Sequence, residues 1–185
     1  MKKIKDVSFD DVVAFFQAEH PTDLSSPHFA GNMWGLKHLE WANDVAKGEW
    51  SLCELDSKDI LGIVFSQHSA EETGEDLIDE KGMTVADATE KLRSTETEYG
   101  KNNPVCWAKI MYWQGKDFSP LFLSTQPTPE KGRRSLVDPT LGTLFHQDGL
   151  HRLLRWSLDG RFEEPAYSEG LRLAAFISGP VQEKF

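Results

Sequence analysis

The stretch TLFHQDGLHRLLRWSLDG, Thr143 to Gly160, changes its periodicity in mid-course. Leu144 and Phe145 open a short apolar run that reads as a strand, Asp148-Gly149 marks a sharp turn, and from Leu150 the spacing is that of a helix closed by Gly160. A turn of this kind gathers the free N–H groups of the helix start at one point. His146, Asp148, His151 and Arg152 all fall beside it, the densest concentration of chemically capable side chains in the chain.

Around this unit lie further β-like runs, VCWAKIMYWQ, FSPLFLST and LRLAAFIS, rich in aromatic and branched residues. Upstream the chain reads as mainly helical. Ser8 precedes FDDVVAFFQAEH, with Phe9, Val12, Val13 and Phe16 at helical spacing. A loop runs from Pro21 to Gly31, and a second helix follows over roughly Met33 to Lys47. Trp50–Leu55 alternates as a strand. Asp56 or Ser57 caps SKDILGIVFSQH, read as a helix on the strength of the cap, and the acidic segment Ser69–Gly82 reads as a surface loop. Thr84 and Asp87 start another helix that ends near Gly100. The expectation is a single α+β domain over residues 1–185. Its helical N-terminal half, 1–103, packs as a cap on a small mixed β-sheet core, 104–185.

The 185 residues carry 30 acids against 20 bases, a net charge of −10, which argues against general nucleic-acid binding. No apolar run approaches the ~20 residues of a membrane span, and MKKIKDVSFDD lacks the apolar core of a secretory signal, so the expected location is the cytoplasm. Cys53 and Cys106 belong to no CxxC or Cys/His ligand pattern and read as reduced, buried thiols. His38, on a Trp-rich helix, reads as a packing residue.

From about Lys109 to Pro180 the order of features resembles the ParB/sulfiredoxin-like fold. GKDFSPLFLS stands for the strand with its proline-containing loop, TLFHQDGLHRLL for the strand, turn and helix of the signature box, and EEPAYSEGLRLAAFISG for the return strand. The resemblance implies a core of that type, with Gly149 as the box glycine, Leu150 after it, and His151 and Arg152 as the pair that holds nucleotide phosphates. It implies ATP or another nucleotide with Mg2+ as cofactor, a nucleotide or phosphorylated small molecule as ligand, and phosphoryl transfer or hydrolysis with Asp148 or His146 as base. Leu150 departs from the pattern: it replaces the catalytic cysteine of sulfiredoxins and the glutamate of the chromosome-partitioning proteins. A protein of this fold that binds a ligand or partner without catalysis is therefore the alternative. Arg155 also stands where the box has a small residue.

The residues support an anion site on their own terms, because a helix start offers N–H donors and Arg152 adds a forked contact to phosphate. Against this stands a simple capped helix, with Leu150, Leu153, Leu154 and Leu158 buried and Arg152, Arg155 and Arg161 in solvent. A third reading takes His146-x-Asp148-x-x-His151 as a metal set. Alternate strand residues share a face, so His146 and Asp148 would meet one ion, with His151 joining from the helix. Lys131, Arg133 and Arg134 precede the signature strand and read as a solvated turn or, alternatively, as a loop that closes over an anion bound at His151 and Arg152. Trp107, Tyr112, Trp113 and Trp156 read as core or as the wall of a planar-ligand pocket.

Overall fold

In a computed structural model of the chain, the structure describes residues 1–20, 29–70, 73–129, 135–163, 167 and 172–181. The chain-order elements are β1 (Lys2–Asp6), α1 (Phe9–Glu19), α2 (Phe29–Val45), β2 (Trp50–Leu55), α3 (Ser57–Leu61), β3 (Val64–Phe65), β4 (His68–Ser69), β5 (Asp76–Ile78), β6 (Met83–Thr84), α4 (Val85–Asn102), α5 (Pro104–Met111), β7 (Leu121–Ser124), β8 (Phe145–Asp148), α6 (Leu150–Leu158) and β9 (Leu173–Ser178). The Lys131–Arg134 loop and residues 21–28 of the Pro21–Gly31 loop lie outside the described residues.

Seven strands form one mixed sheet in the order β1-β2-β9-β7-β8-β3-β6, parallel at β7/β9 and β3/β8, and β4 and β5 form a separate hairpin. The α+β class holds, but the sheet is not confined to the second half. β1, β2, β3 and β6 all come from before residue 103, so the first half is no mere helical cap. Alternation along β2, β7 and β9 feeds two cores, one on each face of the sheet. Phe122 and Phe176 meet Val12, Phe16, Leu39 and Ala42 of α1 and α2 on one side. Leu121, Leu123, Ala175 and Ile177 meet α3 to α6 on the other.

Local signals explain the elements that were legible. Ser8 and Asp11 form a reciprocal capping box at α1, and Thr84 accepts from the backbone N–H of Asp87 at the start of α4. The segment after Asp56 splits: its capping box supports only the short α3, and the following Ile63-Val64-Phe65 turns into the sheet as β3. The expected loop after Ser69 contains β5, which buries Leu77 and Ile78. VCWAKIM, expected as a strand, is helix α5. Pro104 occupies the first turn, where its missing N–H costs nothing, and Cys106 and Ile110 bury one helical face at a spacing of four.

Candidate functional site

Gly149 adopts a φ of 106° between β8 and α6, a conformation that favours glycine. A Cβ there would lie 2.5 Å from Arg152 Nε, because the arginine folds back over the turn. Arg152 is 2% exposed. Its Nη1 donates to Ser119 Oγ at 2.6 Å and to Glu19 Oε2 at 3.4 Å, and its Nη2 donates to Asp148 Oδ2 at 3.1 Å. Asp148 also lies 3.5 Å from His20 Nε2, whose ring stacks on Phe16. The arginine expected either to hold phosphate or to lie in solvent is thus buried and faces two carboxylates of its own chain. Arg155 is buried too and is paired with Asp159, while Arg161 covers the ring of Phe118. Leu150 is core.

The metal set expected from His146 and Asp148 is split by the backbone. Phe122 pairs with Asp148 but Leu123 pairs with His146, so a bulge at Gln147 interrupts the alternation on which a shared face depends. Asp148 consequently lies with Phe122 on the α1/α2 side, and His146 with Leu123 on the other, edge-on to Phe65. Gln147 turns inward, donating to Ser124 Oγ at 2.8 Å and accepting from Thr128 at 2.7 Å. His38 donates through Nδ1 to the Gln147 carbonyl at 3.4 Å and packs beside Trp41, in keeping with a packing role.

His151 does meet potential ligands, but different ones. Its Nε2 lies 3.8 Å from Cys106 Sγ, and His68 Nε2 lies 3.5 Å from the same sulfur. One donor atom from each of the three residues falls within 4.8 Å of the others. α6 supplies His151 from its first turn, β4 supplies His68, and α5 supplies Cys106 from the turn that Pro104 opens. The two imidazoles stand edge to face at 5.2 Å. Burial, reinforced by the neighbouring His68 and Lys109, pushes His151 down to about 3, so at neutral pH its ring is uncharged, the form that ligates metal. Burial pushes His146 down to about 3 as well. Cys53 is an ordinary core thiol, raised to about 11 by burial.

A single ion bonded at about 2.0 Å to nitrogen and about 2.3 Å to sulfur in tetrahedral geometry sets N and S about 3.5 Å apart. The Cys106–His68 distance of 3.5 Å matches that value, and the Cys106–His151 distance of 3.8 Å is slightly longer. His68 and Cys106 escape a sequence reading because they stand 38 residues apart, and Cys106 stands 45 from His151, so no local motif joins them.

Over residues 1–184 the chain matches the model of DUF6309, described as a family of unknown function. No curated protein and no solved structure matches it. The chain belongs to the DUF6309 family.

Proposed function

We propose that this member of the DUF6309 family is a metalloprotein that holds one zinc-type ion through His68 Nε2, Cys106 Sγ and His151 Nε2. The observation that carries the reading is the convergence of one ligand atom from each of three separate elements, with both histidines near ligand-to-ligand spacing from the sulfur. Two imidazoles and a thiolate suit zinc, and copper is the competitor to test. Three protein ligands leave a coordination position for water or substrate, the pattern of catalytic rather than structural zinc sites. The chemistry such an ion supplies is activation of a bound water, so the reaction class is metal-assisted hydrolysis.

The test is metal content by plasma mass spectrometry, joined to a Co2+ titration followed through thiolate-to-cobalt absorption. One equivalent of metal is expected in the wild type, with loss of the absorption in Cys106→Ser and of tight binding in His68→Ala. Sub-stoichiometric metal, or binding indifferent to both variants, overturns the reading.

A ParB/sulfiredoxin-like core with a nucleotide or phosphorylated ligand and Mg2+ at Gly149–Arg152 is the second reading. One observation favours it: Arg152 Nε is buried with no hydrogen-bond partner among the described residues. Asp148 and Glu19 weigh against it, since both carboxylates would repel a phosphate brought to that arginine. A thermal shift with ATP that disappears in Arg152→Ala would restore it to first place.

A further inference from the structure

Tyr99 and Cys106 are seven residues apart, and in one continuous helix they would stand about 10.5 Å apart along the axis. The chain does not continue. Asn103 leaves helical geometry at φ −127° and ψ 60°, α4 ends, and Pro104 begins α5. Trp107 folds back over Gly100, where a Cβ would meet its ring at 3.0 Å. The break brings the Tyr99 hydroxyl to 3.2 Å from Cys106 Sγ, with both residues buried.

The break is itself held in place. Asn103 is fully buried, its amide donating to Glu75 Oε2 at 2.7 Å and its carbonyl oxygen accepting from Thr73 Oγ1. Thr73 and Glu75 belong to the connection between β4 and β5, and β4 carries His68. One junction therefore fixes the sulfur, its hydroxyl neighbour and the hairpin of the nearer imidazole.

A thiol sulfur is a weak acceptor, whereas a thiolate draws a donor strongly. A buried phenol O–H aimed at sulfur is thus suited to a sulfur that carries charge, as a metal-bound one does. We infer that Tyr99 is a positioning residue of the metal centre, donating its hydroxyl hydrogen bond to the Cys106 thiolate and so setting the metal affinity and the electron-donating strength of the sulfur. The inference rests on the metal reading above. Outer partners of this kind typically change metal affinity 10–100-fold.

The test compares full-length wild type and Tyr99→Phe in Co2+ and Zn2+ titrations. The variant should bind one equivalent of metal about 10–100-fold more weakly. Its sulfur-to-cobalt band should move to lower energy, because a thiolate without the hydrogen bond gives up its electrons more readily. Incorporating 3-fluorotyrosine at Tyr99, which keeps the shape and strengthens the donor, should move the band the other way. A Tyr99→Phe protein with wild-type affinity and an unmoved band overturns the role of Tyr99 while leaving the metal site standing. If Tyr99→Phe does not fold, an unmoved band in the fluorotyrosine protein overturns it equally. A wild type that takes up no cobalt removes the metal reading, and this inference with it.

Discussion

Arg152 stands out in the sequence for its charge and in the structure for the direction in which that charge points. Its charge is directed inward, onto Asp148, Glu19 and Ser119, and links the start of α6 to the end of α1. Removing it orphans two carboxylates, each about a quarter exposed, so the cost is below that of breaking a fully buried pair. Arg152→Ala is expected to lower unfolding free energy by about 2 kcal/mol in urea titrations. Arg152→Lys should recover only part of this, because an ammonium lacks the fork that reaches three acceptors at once. A variant as stable as the wild type would show that these contacts offset only the cost of burying the charge. The sequence revealed the Gly149 turn, because a sharp turn favours glycine, but it could not show which acceptors the arginine would find. Glu19 is 133 residues away.

At the scale of elements, composition and geometry competed, and geometry won twice. The aromatic and branched residues of VCWAKIM favour a strand by propensity, yet Pro104 at the first turn and burial at a spacing of four make α5 a helix. In β8 the alternation that would unite His146 and Asp148 fails at one bulge, a feature with no mark in a six-residue string. The α4/α5 break was half legible in Asn103-Pro104, though its purpose was not. Asn103→Ala removes two part-buried side-chain hydrogen bonds and leaves Thr73 and Glu75 to water. The expected loss is about 1–2 kcal/mol of stability. Metal affinity should fall as well, since the β4–β5 connection that positions His68 loses its anchor. Retention of full Co2+ affinity by a destabilised Asn103→Ala would show that the hairpin holds its place without the junction.

Across the whole molecule, what the sequence conceals is long-range assembly. The class, most helices and the β7, β8 and β9 core follow from periodicity, but the sheet draws strands from both halves of the chain, and the three candidate ligands come from segments with no shared motif. Among the described residues no helix is long and apolar enough to cross a membrane. The same assembly gives the protein a defined sensitivity to acid. His146 Nε2 is buried without a hydrogen-bond partner among the described residues, and burial depresses its pKa from 6.5 to about 3. Between those values the unfolded chain binds a proton that the folded chain refuses. This contribution to stability is complete above about 6.5 and is lost as pH falls toward 3, by up to about tenfold in the folding equilibrium per pH unit. His146→Leu keeps the contact with Phe65 in apolar form and removes the titration. Urea unfolding of metal-free protein at pH 7 and pH 5 should therefore show a stability loss about 2 kcal/mol smaller in the variant than in the wild type. Equal losses in the two proteins would mean that His146 is already neutral in the unfolded chain or can be protonated in place, and the acid response would then have to come from His151 and the carboxylates.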